Sequence, residues 1–142
     1  MRRHVLAAVA IFVVACGGDK ATGPSAVVGS YTLRTVNGAT LPATYYQDAT
    51  EKDQFFAGTI SLAADHSWTG SLSVDATAVP SGTSLFHGAI PISGTYALNA
   101  NAITITDAAH SLTLTGTVTG GTMTLATNDL DIQSTALVFS KQ

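Results

Sequence analysis

Apolar and polar residues alternate in short segments along most of the chain after residue 26. The segment around Trp68, Leu72 and Val74 is typical, since Thr and Ser fill most of the positions between apolar ones. Such alternation places successive side chains on opposite faces of a β-strand. Turn signals such as Asn37-Gly38 separate the segments. No long stretch has a helical period of apolar positions, so the pattern predicts an all-β domain of about eight strands.

Hairpin turns between consecutive segments favour a single antiparallel up-and-down barrel over residues 27–142. A barrel of about eight strands leaves an interior that side chains fill, or that holds one small ligand. Three segments lack the alternation: 44–54 is predicted as a loop or a single helical turn, and 76–88 and 128–131 are predicted as loops. A membrane-spanning barrel needs an apolar outer face, whereas Thr, Ser and Asn occupy the outer positions here. We therefore expect the barrel itself to lie outside the bilayer.

The start of the chain has the pattern of a secretory leader. Arg2, Arg3 and His4 form a basic beginning, and residues 5–15 are apolar throughout. These 11 apolar residues fall short of the about 20 that a membrane-spanning helix needs. We therefore predict that residues 1–15 form a helical signal peptide that is removed by cleavage.

Residues 13–16, Val-Val-Ala-Cys, resemble the lipobox of bacterial lipoproteins. The resemblance implies cleavage before Cys16 and a lipid on its sulfur, whose acyl chains, such as palmitate, hold the protein in a membrane. Residues 16–26 are rich in Gly, Ser, Thr and Pro and are predicted as a flexible tether. By analogy with the sorting of enterobacterial lipoproteins, Gly17 rather than Asp after the cysteine implies the outer membrane, so we expect a lipid-anchored protein of the cell envelope. The alternatives are an ordinary signal with an incidental cysteine, or a catalytic cysteine, which needs a His partner.

The charge balance argues against one class of partner. Loss of Arg2 and Arg3 with the leader takes the formal charge from −3 to −5. Few basic residues remain, and they form no patch that would bind a phosphate backbone, so we expect no nucleic-acid partner. Cys16 is the only cysteine of the chain, so the barrel is predicted to fold without a disulfide.

The segments Gly29-Ser30-Tyr31, Asn37-Gly38 and Leu41-Pro42 resemble the opening of small bacterial lipoproteins with a lipocalin-like domain. Residues 94–98, Gly-Thr-Tyr-Ala-Leu, and residues 137–139, Leu-Val-Phe, also resemble segments of these lipoproteins. The resemblance implies a lipocalin-like barrel. Gly29-Ser30-Tyr31 is also similar to the Gly-x-Trp motif of lipocalins, with Tyr in place of Trp. In that family the aromatic residue closes one barrel end and a basic residue of the last strand packs on it, which implies these roles for Tyr31 and Lys141.

Little in the sequence indicates catalysis. His66, His87 and His110 are not paired at metal-ligand spacing, and Asp65 and Asp107 near two of them suit turn caps. Residues 128–131 carry oxygen ligands but lack the Gly and distal Glu of a calcium loop. Neither a nucleophile elbow nor a phosphate-binding loop is present. We therefore predict no enzyme activity, no catalytic residue, no metal and no cofactor.

Aromatic residues are the best candidates for binding, and two hypotheses follow. The first is a carrier of a small apolar ligand; its candidate binding residues are Tyr45, Tyr46, Phe56, Trp68, Phe86 and Tyr96. It predicts an internal cavity lined by Ile60, Leu62, Trp68, Leu72, Tyr96, Ile103, Leu114 and Leu125. The second is a packed scaffold that contacts an envelope protein through an exposed apolar patch near Tyr45, Tyr46 and Phe86.

Overall fold

Ten β-strands and one short helix make up the residues that this computed structural model describes, 24–127 and 135–142. The predicted signal peptide, Cys16, the tether up to residue 23 and the predicted loop 128–131 lie outside these residues. The elements are α1 (Pro24–Val27), β1 (Gly29–Val36), β2 (Ala39–Thr40), β3 (Ala43–Gln47), β4 (Glu51–Leu62), β5 (Ser67–Ala78), β6 (Ser84–Asn99), β7 (Ala102–Asp107), β8 (Leu112–Thr119), β9 (Thr122–Thr127) and β10 (Thr135–Lys141).

Eight of the strands close into an antiparallel barrel. Strands β4 to β10 each pair with the next along the chain, and β1 pairs with both β10 and β4. At the closure, Tyr31 lies opposite Lys141 on one side and opposite Ile60 on the other. Strands β2 and β3 lie outside the ring. The predicted all-β, up-and-down, eight-stranded barrel is therefore confirmed, and it is consistent with a lipocalin-like fold.

Inward-facing side chains fill the interior, as the alternation predicts. Their contribution to stability comes from the apolar area that they remove from water. The largest fully buried apolar residues come from six of the eight barrel strands: Tyr31, Leu33, Val36, Ile60, Trp68, Ile103, Ile105, Met123, Leu125 and Phe139.

Helix α1 lies at one end of the barrel, which we name the closed end. The Tyr31 hydroxyl donates to the Val27 carbonyl oxygen at 2.7 Å, and Lys141 Nζ donates to the Ala26 carbonyl oxygen at 2.9 Å. The Lys141 ammonium lies 5.9 Å from the centre of the Tyr31 ring, within the range of a cation–π interaction. The predicted packing of Lys141 on Tyr31 is confirmed.

The opposite end, which we name the open end, differs from the prediction. Segments 44–54 and 76–88 are mostly strand: they form the β3–β4 hairpin and much of the β5–β6 hairpin. The register shifts between Thr44 and Tyr46 and again between Phe55 and Ala57. A bulge of this kind adds one residue and inverts the alternation beyond it. The apolar period is broken there, so the strands look like loops in the sequence.

Strands β3 to β6 continue past the rest of the barrel as a four-stranded extension, made of residues 43–47, 51–57, 72–78 and 84–93. Within it β6 pairs only with β5, because pairing of β6 with β7 begins at Thr95. Likewise, β4 pairs with β1 only over residues 59–62 and with β3 before that. One face of the extension therefore overhangs the open end.

Candidate functional site

A pocket of about 440 Å³ lies at the open end, under the extension. Its floor is apolar, because alternate residues of β5 and β6 face inward beside the starts of β4 and β8. The floor residues are Phe55, Leu72, Val74, Ile90, Ile92 and Leu112. Its polar rim consists of Tyr45, Tyr46, Glu51, Asp53 and His110. The site thus combines an apolar base with a few polar groups, as small-molecule pockets commonly do.

An aromatic wall stands on one side of the pocket. Tyr45 stacks on Phe55 with the ring centres 4.1 Å apart and the planes inclined by 21°. Consecutive strand residues normally face opposite ways, yet Tyr45 and Tyr46 both line the pocket. The register shift between Thr44 and Tyr46 accounts for this, because a bulge re-aims the side chain that it inserts.

The turn between β3 and β4 holds Tyr46 in place. Asp48 Oδ1 accepts hydrogen bonds from the backbone N–H groups of Thr50 at 2.7 Å and Glu51 at 2.8 Å. The Tyr46 hydroxyl donates to Asp48 Oδ2 at 2.8 Å. These bonds, that from the Thr50 backbone first, hold the pKa of Asp48 well below its ordinary value. Asp48 therefore remains a charged acceptor that orders the hairpin.

Asp53 is the least satisfied polar group of the rim. Its Oδ1 atom is buried and has no hydrogen-bond partner among the described residues. Burial and the neighbouring charge of Glu51 raise the pKa of Asp53. Burial, followed by the charge of Asp53, raises the pKa of Tyr45 to about 12. A buried acceptor without a donor is costly, which makes this side of the pocket suited to a ligand that donates a hydrogen bond.

On the other side, Asp107 positions His110. Asp107 is 1% exposed and accepts hydrogen bonds from the backbone N–H groups of Ala109 at 2.9 Å and His110 at 3.2 Å. Its Oδ2 lies 2.7 Å from His110 Nδ1. The predicted cap role of Asp107 is confirmed. The His110 side chain, 48% exposed, thereby gains a fixed place at the pocket rim.

The structure brings together only part of the predicted aromatic set. Tyr45 and Tyr46 line the pocket. Trp68 and Tyr96 lie in the core, where Trp68 Nε1 donates to Thr106 O at 3.2 Å and the Tyr96 hydroxyl donates to Ala63 O at 2.6 Å.

The remaining two candidates lie elsewhere on the extension. Phe56 stacks on His87, with ring centres 4.9 Å apart, and does not line the pocket. Phe86 is exposed, and its ring lies close to Gly88. Both rings therefore remain accessible on the surface of the molecule.

The pocket lies in a different place from the predicted cavity. Of the eight residues expected to line it, only Leu72 lines the pocket. The other seven, Ile60, Leu62, Trp68, Tyr96, Ile103, Leu114 and Leu125, pack into the core. Large inward side chains fill the barrel interior. The pocket lies at the open end, where the strands of the extension continue and the other barrel strands have ended.

Comparison with known proteins adds no assignment. No protein-family model, no curated protein and no solved structure matches the chain. Among residues 24–127 and 135–142, none of the helical segments has the length and apolar character to cross a bilayer. The same residues contain no group of three His, Cys, Asp or Glu side chains placed to hold a metal ion.

Proposed function

We propose that this protein binds a small, largely apolar ligand in the pocket at the open end of its barrel, and that a lipid on Cys16 anchors it in the cell envelope, at the outer membrane. The observation that carries the binding proposal is the pocket itself, with an apolar floor and a polar rim on rigid strands. Its volume of about 440 Å³ lies within the range of about 300–1,000 Å³ that is usual for small-molecule sites.

The packing of the barrel supports a shallow mode of binding. Trp68, Tyr96 and Tyr31 are buried and fill the closed end, so a ligand enters only as far as Leu72 and Ile92. The ligand then lies between the extension and the turn that follows β7, with its polar end toward the rim.

Native mass spectrometry tests the proposal. The chain from residue 17 onwards, which keeps α1 and every strand, is incubated with an extract of envelope lipids. We expect an added mass that disappears on denaturation. The variant Ile90→Trp, which fills the floor, should lose this mass. The variant Ala89→Trp changes the next residue, which is exposed and faces the other side of β6, and should retain it. Equal retention by both variants would contradict the proposal.

A second candidate function rests on exposed apolar side chains at the extension. Phe56, Leu85 and Phe86 are 38%, 57% and 44% exposed. These residues lie on β4 and β6, the two strands that flank β5, and exposed apolar side chains of this kind suit a contact with an envelope protein. Under this alternative the chain takes up no mass from the lipid extract. Instead, a Leu85→Ser and Phe86→Ser double variant loses a partner that cross-links to the unaltered protein in intact envelopes.

A further inference from the structure

Given the binding function proposed above, the negative charge of the pocket indicates which chemical class of ligand it binds. Glu51 and Asp53 are alternate residues of β4 and therefore face the same way, toward the pocket. Lys52 lies between them and faces away, and neither Lys nor Arg is among the described residues that line the pocket. Among the described residues of the rim, His110 is the only basic side chain, and it is already paired with Asp107.

Two carboxylates without a cation are unusual beside an apolar floor. A carboxylate oxygen that is removed from water is normally paired or hydrogen-bonded, because burying it without a partner is costly. Asp53 Oδ1 is buried and lacks a partner in the described part of the chain. A ligand with a positively charged N–H group would supply both the missing charge and the missing donor.

The aromatic wall adds a second attraction for a cation. The stacked rings of Tyr45 and Phe55 stand beside Asp53 in the pocket lining. The negative face of an aromatic ring attracts an ammonium group within about 6 Å of its centre. The floor formed by Leu72, Val74 and Ile92 suits an apolar body attached to that group. A fatty acid would instead bring a third negative charge to Glu51 and Asp53, which repels it.

We propose that the ligand is an amphipathic organic cation, with its amine or ammonium group held by Glu51 and Asp53 against the Tyr45 ring and its apolar body on the pocket floor.

Three probes with the same alkyl chain and different head groups test this assignment: dodecylamine, dodecanol and dodecanoate. Isothermal titration calorimetry, below the micellar concentration of each probe, gives Kd for the chain from residue 17. We expect the amine to bind about tenfold or more tighter than the alcohol, since a hydrogen bond between charged groups is stronger than one that a neutral hydroxyl donates. The carboxylate should bind most weakly.

Charge-neutralising variants locate the effect. Asp53→Asn and Glu51→Gln should each remove most of the preference for the amine over dodecanol, because the uncharged alcohol loses less binding than the amine when a carboxylate is neutralised. Asp75→Asn is the matched control. It removes the same charge from the opposite face of β5, where Asp75 lies 3.5 Å from His87, and should keep the preference. Dodecanol binding serves as the internal check that each variant is folded. If Asp53→Asn binds none of the probes, we conclude that this variant is not folded, and the amine preference of Glu51→Gln then tests the assignment.

The outcomes separate this inference from the proposed function. If amine, alcohol and carboxylate bind the unaltered protein equally well, and Ile90→Trp blocks all three, the pocket is a ligand site but the cation assignment is wrong. If Asp75→Asn loses the preference as strongly as Asp53→Asn does, the effect is one of net charge and the assignment is also wrong. If none of the three probes binds, the proposed function fails and the inference fails with it.

Discussion

Asp107 links the turn after β7 to both β6 and the pocket rim. Its carboxylate accepts from the backbone N–H groups of Ser93, Ala109 and His110 and pairs with the His110 ring. Burial acts to raise the pKa of Asp107, but these hydrogen bonds, that of the His110 side chain first, outweigh burial and place the pKa below the ordinary value of 3.8. The folded state therefore favours the ionised form of Asp107.

We predict that Asp107→Ala lowers the free energy of unfolding by about 2 kcal/mol at neutral pH, because three backbone N–H groups lose an acceptor that is itself buried. A folded pKa below the unfolded one stabilises the protein above the unfolded value, and this contribution is lost as the pH falls through the folded value. The difference between Asp107→Ala and the unaltered protein, measured by urea unfolding, should therefore shrink below pH 3.8.

Asp65→Ala provides the matched control for this measurement. Asp65 also caps a turn, accepting from the Ser67 backbone N–H at 2.9 Å, but it is exposed at the closed end. We expect a smaller loss of stability there, since water replaces the missing acceptor. A difference for Asp107→Ala that stays constant down to low pH would contradict the role assigned to its charge.

Two glycines of the barrel lie so close to the backbone of a neighbouring strand that a side chain cannot be accommodated there. A Cβ atom at Gly116 in β8 would lie 1.8 Å from the Thr124 carbonyl oxygen of β9, and one at Gly94 would lie 1.9 Å from the Thr106 carbonyl oxygen of β7. Both contacts are to backbone, which cannot rotate away as a side chain can. The close approach of these strands therefore depends on the absence of a side chain at both positions.

We predict that Gly116→Ala destabilises the barrel by about 1–3 kcal/mol, the usual range for an overpacked site. The backbone of β8 or β9 must shift to admit the methyl group. Thr115→Ala, an exposed neighbour on the same strand, should change stability by less than about 0.5 kcal/mol. Thermal unfolding of both variants measures this, and equal melting temperatures would show that β8 and β9 separate without cost.

Regular strands could be predicted from the sequence, and interrupted ones could not. Ile103 and Ile105, and likewise Leu112 and Leu114, alternate with polar residues without interruption, and they lie in β7 and β8 as such alternation predicts. In β3 and β4, bulges break the period, and the charges of Glu51 and Asp53 suggested a solvated loop instead.

The same limit applies to the candidate site. Nothing local in the sequence indicates that Asp107 is buried or that His110 reaches the pocket, since both depend on how the β7–β8 turn meets the extension. Tyr45 and Tyr46 were predicted as binding residues from their aromatic character alone, and the bulge at residues 44–46 is what brings both to the pocket. Pocket residues on irregular strands can therefore be recognised only when the pairing of the strands in the folded protein is known.

At the scale of the whole molecule, the chain enters the barrel at the end opposite the pocket. Helix α1 is fixed at the closed end by Tyr31 and Lys141, whereas the pocket lies under the extension at the open end. Seven residues, 17–23, separate Cys16 from α1, and they span at most roughly 25 Å. If Cys16 carries the proposed lipid, the closed end stays near the bilayer and the pocket opens away from it.

Quenching of a fluorescent label on the protein by spin-labelled lipids tests this orientation. Ser81→Cys places a thiol at the tip of the β5–β6 hairpin, and Asn101→Cys places one in the β6–β7 turn at the closed end; both positions are exposed. Lipidation blocks the sulfur of Cys16, so each variant takes a single fluorescent label. In vesicles with headgroup-linked spin labels, we expect stronger quenching at Asn101→Cys than at Ser81→Cys.

As the control, Cys16→Ser expressed behind an ordinary cleavable leader should stay off the vesicles and show no quenching at either position. Equal quenching at both positions of the lipidated protein would mean that the tether leaves the barrel free to tumble, and stronger quenching at Ser81→Cys would place the pocket against the membrane.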